Sequence, residues 1–362
     1  MNRICARMAA ALLAAILFVS LDAGAISANR AIVVDGQTGR VLYEKNADEQ
    51  SLIASTTKIM TALVVCEQCN VLDRMAIPKE AVGIEGSSMY LREGEVLTIQ
   101  ELLYGLMLQS GNDAAVALAI YCGGTVEGFA ELMNDKARSL NLKDTHFVNP
   151  HGLDAPEHYS TARDLAVLAD YAMENPIFAR TVSVKNVQIG ERHLKNHNKL
   201  LWQVEGANGV KTGYTKAAGR ILVSSAVRQG RRILIVTINA PDDWQDHKTL
   251  YEKAFSQYTP QQLIEKDQSL GSVEVAGGTR GVAYLYAAEP FYYAMREEEK
   301  WYYKLPAQEF VYAPVVAGSF AGYAHIYVED LPVGKIPLTY GQTVEQQKDP
   351  QKPWYEKLLF WR

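Results

Sequence analysis

The spacing of apolar residues changes along this chain, and each change marks a boundary. At the N-terminus Ala9–Val19 is an unbroken apolar run of eleven residues behind Arg3 and Arg7, followed by Ala23-Gly24-Ala25. A basic start, a short apolar stretch and a small-x-small site form the pattern of a secretory signal peptide, and eleven residues are too few to cross a bilayer as a helix. Residues 1–25 are therefore expected to be removed on export, leaving an extracytoplasmic protein. Ala31-Ile32-Val33-Val34 and Val41-Leu42-Tyr43 then flank Asp35-Gly36-Gln37-Thr38-Gly39, which predicts a β-hairpin.

From Ser55 onward the pattern becomes helical. Ser55–Cys66 is rich in apolar residues. Thr98-Ile99-Gln100-Glu101 has the form of a capping box that opens a helix through Leu102–Leu108 and stops near Ser110-Gly111. Asp113–Tyr121 and Gly128–Leu140 read as further helices, and Thr161 caps another that runs to about Met173. Strand-like runs return at Gly219–Val227 and Arg232–Asn239, separated by the hairpin signal Gln229-Gly230, before a helix at Asp243–Gln257. Strands flanking a block of helices predict the α+β class, an antiparallel sheet with helices packed on it.

After Pro260 tyrosines dominate short runs broken by Gly and Pro, with Val282–Tyr286 and Ala324–Val328 strand-like; a small all-β domain is expected over 259–345. Residues 346–362 form a tail in which Trp354–Arg362 mixes aromatic and basic side chains. Such a segment suits either peripheral membrane contact or a helix docked on the protein.

Composition narrows the function classes. The chain has 362 residues, 48% of them hydrophobic, with 36 basic and 41 acidic side chains for a net charge of −5. That balance offers no footprint for nucleic acid. Without Cys5, three cysteines remain: Cys66, Cys69 and Cys122. Cys66-x-x-Cys69 is half of a metal or redox motif, but no second pair accompanies it, so a local disulfide or two plain thiols is expected and no metal or organic cofactor is implied.

Three short motifs carry chemistry. In Ser55-Thr56-Thr57-Lys58 the lysine lies one helical turn after the serine, where a neutral amine can take the hydroxyl proton. Burial and a second cation both favour the neutral amine. Ser110-Gly111-Asn112 stands where one helix ends and the next begins, a junction that can push a hydroxyl and an amide into a cleft. Lys211-Thr212-Gly213, followed by Tyr214, reads as a strand edge at which Gly213 lets a substrate backbone approach. Each motif is common alone. Their order, with 52 residues from Lys58 to Ser110 and 99 from Asn112 to Lys211, is specific.

Taken together the motifs, with Phe147-Val148-Asn149-Pro150-His151-Gly152-Leu153 and Gly209-Val210-Lys211-Thr212-Gly213-Tyr214-Thr215, closely resemble the low-molecular-mass penicillin-binding proteins, the serine D-alanyl-D-alanine carboxypeptidases. The resemblance covers residues 30–258 strongly and the β domain loosely. It implies a β-lactamase/transpeptidase-like domain over 26–258, with a helical subdomain, acting on peptidoglycan pentapeptides and acylated by β-lactams. Ser55 would be the nucleophile, Lys58 its general base and Ser110 a proton relay. Asn112 would bond the substrate's peptide groups, Lys211 would help keep Lys58 neutral, and Thr212 would hold the substrate carboxylate. The backbone N–H groups of Ser55 and Tyr214 would form the oxyanion hole.

Some positions depart from the family pattern. Ile53 stands where many members have proline, and Tyr214 where histidine is frequent. Ile238–Asp243 lacks the arginine some members use to grip the carboxylate, so that task is expected to fall on Lys211 and Thr212. His151 is read as structural. A D,D-endopeptidase and a non-enzymatic penicillin-binding scaffold are the alternative functions. A β-lactamase would need Glu-x-x-x-Asn, whereas the residue four after Glu157 is Thr161.

Overall fold

The structure is a computed structural model in which residues 26–348 are described; residues 1–25, expected to be a signal peptide, and the aromatic end of the tail lie outside the described residues. The chain divides between Gln257 and Tyr258 into two compact units.

The first unit is built on a five-stranded antiparallel sheet in the order β2 (Val41–Lys45), β1 (Arg30–Asp35), β9 (Arg231–Ile238), β8 (Gly219–Arg228) and β7 (Ala207–Thr215). The predicted hairpin forms β1 (Arg30–Asp35) and β2 (Val41–Lys45). Two small antiparallel pairs follow: β3 (Arg74–Ala76) with β4 (Val96–Thr98), and β5 (Asn186–Ile189) with β6 (Arg192–Lys195). The rest of the main sheet is β7 (Ala207–Thr215), β8 (Gly219–Arg228) and β9 (Arg231–Ile238). Gln229 and Gly230 turn β8 into β9 with φ of 51° and 79°, the left-handed pair that a tight hairpin needs. Helices Ala162–Glu174 and Asp243–Gln257 both pack on β9, and Ile233–Ile238 is buried throughout. A strand covered on both faces reads as a continuous apolar run, as this one does. His247 pins the second helix to the sheet: Nδ1 meets Ser224 Oγ at 2.7 Å and Nε2 meets Thr237 Oγ1 at 2.9 Å.

The remaining helices form the other layer. Thr98 closes the expected capping box with Glu101 and opens Ile99–Leu108. Asn112–Gly123 and Val126–Ser139 follow. At their centre lies Lys58–Gln68, in which every residue from Lys58 to Cys66 is buried. A helix apolar all round has no solvent face and must be surrounded. Lys58, its first residue, is consequently enclosed as well.

The second unit is all β. β10 (Thr259–Ile264) pairs with β13 (Phe291–Met295). The other strands are β11 (Ser269–Ala276), β12 (Val282–Ala287), β14 (Trp301–Lys304), β15 (Phe310–Tyr312), β16 (Phe320–Val328) and β17 (Leu331–Tyr340); they form a sheet in the order β14-β16-β17-β12-β11-β15. Cross-strand partners Tyr302 and Tyr327 stack with centroids 5.1 Å apart, the kind of pair that stabilises a sheet face.

One sequence expectation is corrected. Cys69 is bridged to Cys122, not to Cys66, which stays a buried thiol pushed up to about 12 by its burial. Two cysteines three apart around a helix end need not face each other, and the packing of neighbouring helices supplied a partner 53 residues away. Closing a loop of that length restricts the unfolded chain, so Cys122→Ser or reduction is expected to lower unfolding free energy by about 2–4 kcal/mol. Denaturant midpoints that agree with and without reductant would contradict this.

Candidate active site

Ser55 sits in a 3₁₀ turn, Ala54–Thr57, that leads straight into the buried helix. Ala54, just before it, has φ of +45°, a left-handed conformation costly for a residue with a Cβ. The Thr56 hydroxyl donates to Ile53 O at 2.5 Å and ties the turn down. N–H groups at the start of such a turn have no partner within it, which leaves that of Ser55 available. On this side lies β7: a Cβ added at Gly213 would stand 3.3 Å from Ser55 N, so the glycine permits the approach.

Beneath Ser55 is Lys58, wholly buried. Its Nζ lies 3.0 Å from Ser55 Oγ, 2.7 Å from Asn112 Oδ1 and 2.6 Å from the His151 carbonyl oxygen. Burial first, and the Lys211 cation second, push the Lys58 amine well below the ordinary lysine range, with Asp113 opposing them. Lys211 is itself buried, donates to Thr212 O at 2.9 Å, and is pushed down to about 7 by burial.

The geometry sorts the atoms of a neutral amine. Asn112 Oδ1 and His151 O are acceptors only, so they take its two N–H groups. The lone pair then faces the Ser55 hydroxyl, which can donate to it. Asn112 is held for this task, since its Nδ2 donates to Glu85 O at 2.5 Å. The His151 ring is occupied too: Nδ1 accepts from Leu153 N at 3.1 Å, and burial holds the ring at about 4, in its neutral form.

A cavity of about 820 Å³ opens over the serine. Of the residues singled out from the sequence, Ser55, Ser110, Thr212, Gly213 and Tyr214 line it, whereas Lys58, Asn112 and Lys211 are buried. Ser110 adopts φ of +61° between two helices, and its hydroxyl makes no hydrogen bond to Ser55, Lys58 or Lys211 among the described residues. Asn112, behind the cavity wall, bonds the lysine through its Oδ1.

Arg220 escaped the sequence reading. It lines the cavity from β8, directly across the sheet from Tyr214. Asp243 holds it with a two-pronged ion pair, Nη2 to Oδ1 at 2.8 Å and to Oδ2 at 3.0 Å, and Trp244 lies under the guanidinium at 5.8 Å. The clue was in the hairpin: a turn over Lys216–Ala218 puts the residue after Gly219 opposite Tyr214. Lys195, Lys199 and Trp202 continue the wall. No group of three or more metal-ligating side chains occurs among the described residues.

Comparison with known proteins places this site in context. A family profile described as D-alanyl-D-alanine carboxypeptidase matches residues 18–242, more than half of the chain, and one described as penicillin-binding protein 5, C-terminal domain, matches 258–346. The D-alanyl-D-alanine carboxypeptidase DacF of Bacillus subtilis is 35% identical over 276 residues, which are 73% of this chain and 71% of that protein. The D-alanyl-D-alanine carboxypeptidase DacD of Escherichia coli is 33% identical over 339 residues, 88% of this chain and 87% of that one. The crystal structure of penicillin binding protein 5 from Haemophilus influenzae matches with a TM-score of 0.79 at 28% identity, covering 89% of this chain and 99% of the other.

The charge coupling can be tested directly. Removing the Lys211 cation relieves the repulsion on protonated Lys58, so Lys211→Met is expected to raise the Lys58 pKa. In a carbon-13 NMR titration of labelled lysines, the lysine that titrates near 7 should also vanish. A Lys58 titration that does not move would show that burial alone sets it.

Proposed function

The chain belongs to the D-alanyl-D-alanine carboxypeptidase family, and on that premise we propose that it is an exported enzyme that removes the terminal D-alanine from peptidoglycan pentapeptides through an acyl-enzyme on Ser55. The observation that carries this reading is the enclosed Lys58 amine, 3.0 Å from the Ser55 hydroxyl with its other neighbours all acceptors.

In this mechanism Lys58 Nζ takes the Ser55 proton as Oγ attacks the carbonyl carbon of the penultimate D-alanine. The developing oxyanion is assigned to the N–H groups of Ser55 and Tyr214, donors that would stabilise the charge as it appears. The tetrahedral intermediate collapses, the C–N bond breaks, and the leaving amine takes the proton from the Lys58 ammonium, with Ser110 as the relay at the cavity wall. Water then attacks the ester, giving its proton to Lys58, which returns it to Ser55 Oγ as the ester C–O bond breaks, and the truncated peptide leaves with serine and amine restored. β7 is the edge strand of the sheet, so one side of its backbone is free to pair with an extended peptide. The terminal carboxylate is assigned to the Thr212 hydroxyl and the Arg220 guanidinium. Arg220 takes the part expected of Lys211, whose ammonium is buried.

A β-lactam presents a strained amide to the same serine and is expected to leave a long-lived ester. The test is intact mass after incubation with benzylpenicillin, alongside D-alanine release from a pentapeptide. Wild type should gain one penicilloyl group and release D-alanine; Ser55→Ala should do neither. Turnover that survives in Ser55→Ala removes the serine from the mechanism. Acylation is expected to slow in acid as Lys58 gains a proton, and a rate that stays flat on acidification would count against the lysine base. Arg220→Ala should raise KM by about tenfold, the effect of losing one charge-assisted hydrogen bond worth roughly 1.4 kcal/mol, with less change in kcat.

A further inference from the structure

We propose that His158 and Thr57 are positioning residues that aim the Ser55 N–H, and with it the oxyanion hole, by holding the Ala54 carbonyl from behind. The proposal rests on the mechanism above, because it assigns these groups to the peptide that precedes the nucleophile.

The argument starts from a planar peptide. In a trans peptide the carbonyl oxygen and the N–H point in opposite directions, so fixing one aims the other. The Ala54–Ser55 peptide has Ala54 O on one side and Ser55 N–H on the other. Ala54 is left-handed with φ of +45°, a conformation that costs about 1–3 kcal/mol and persists only where its surroundings over-determine it.

Three groups supply that constraint on the carbonyl side. The Thr57 hydroxyl donates its one hydrogen to Ala54 O at 2.8 Å. His158 Nε2 lies 2.8 Å from the same hydroxyl oxygen. His158 Nδ1 accepts from Val148 N at 3.1 Å, so the neutral ring carries its hydrogen on Nε2 and donates it to Thr57. The chain of donors therefore runs one way, from Val148 N–H through the imidazole and the hydroxyl to Ala54 O. The ring is almost wholly buried, packs edge-on to Phe147 at 5.8 Å, and is held at about 4 by burial, with His146 second. Gly152 closes the back wall: with φ of +86°, a Cβ there would stand 1.9 Å from Ala54 O and 2.7 Å from Thr57 Oγ1. At the amide end of the same peptide, a Cβ added at Gly213 of β7 would stand 3.3 Å from Ser55 N. None of these groups reaches the cavity wall, so their action on the reaction runs through the peptide they hold.

The role separates from a purely structural one by the kinetic constant it moves. An oxyanion donor acts in the transition state, so its misalignment lowers kcat and leaves KM nearly unchanged. His158→Leu removes the donor to Thr57. His158→Gln carries an amide N–H to about the position of Nε2. Thr57→Val keeps the shape and removes the hydroxyl. D-alanine release and benzylpenicillin acylation would be measured well below each variant's melting temperature. His158→Leu and Thr57→Val should lose roughly tenfold or more in kcat and acylation rate, within the roughly 10²–10³ that loss of an oxyanion donor costs, with KM within about twofold. His158→Gln should recover most of the loss. Folded Leu and Val variants with wild-type kcat would overturn the proposal, as would a Gln variant as slow as the Leu one. If His158→Leu does not fold, Thr57→Val decides. Ser55→Ala separates the two readings. Inactive Ser55→Ala beside fully active His158 and Thr57 variants overturns this inference alone, while active Ser55→Ala overturns the mechanism and this inference together.

Discussion

An amine enclosed in the core of the first unit is the constraint around which the rest of that unit is arranged. An ammonium buried without a full set of partners is costly, and a protein relieves that cost by shifting the group towards its neutral form. Lys58 has two carbonyl acceptors and a hydroxyl around it, and the buried Lys211 cation nearby. Each comes from a different part of the chain: Asn112 from the start of a helix, His151 from a loop, Lys211 from β7. They meet because the helix that begins at Lys58, buried from Lys58 to Cys66, lies at the centre of the helical layer, and β7 packs against the turn that precedes it.

The turn bearing Ser55 shows the same logic at the level of the backbone. A left-handed alanine is unstable by itself, and its neighbours hold it from both sides. Thr57, His158 and Gly152 stand on the carbonyl side, with Gly213 on the amide side. Two of these are glycines at which a Cβ would crowd the turn, and at Gly152 no side chain could be accommodated at all. The strain is thus stored beside Ser55 and stabilised by packing and hydrogen bonds around it.

The cavity wall is divided between groups that meet the solvent and groups that act through them. Ser55, Ser110, Thr212, Tyr214, Arg220 and Asp243 line the cavity, and Lys58, Asn112 and Lys211 stand behind them. Asp243 both orients Arg220 and lines the cavity floor from the start of a helix that His247 locks to the sheet. Positioning of this kind is what separates a cleft that merely contains reactive side chains from one in which they can act together.

Much of this was legible along the chain. Apolar periodicity marked the helices, Thr98-x-x-Glu101 and Thr161 marked where two of them begin, and Gln229-Gly230 marked the β8–β9 turn, because capping and turn chemistry are local. The order of the three motifs pointed to Ser55, Lys58, Ser110, Asn112, Lys211 and Thr212 before any coordinates. What the sequence did not determine depends on contacts between distant segments. Cys69 could not be paired with Cys122, nor Arg220 placed in the cavity, nor His158 behind Ala54, from spacing alone. Nor could the sequence tell that Asn112 faces the lysine and that Lys211 is buried. A motif specifies which groups are near one another, but which of them reaches the cavity depends on how each side chain is packed, and only the tertiary structure decides that.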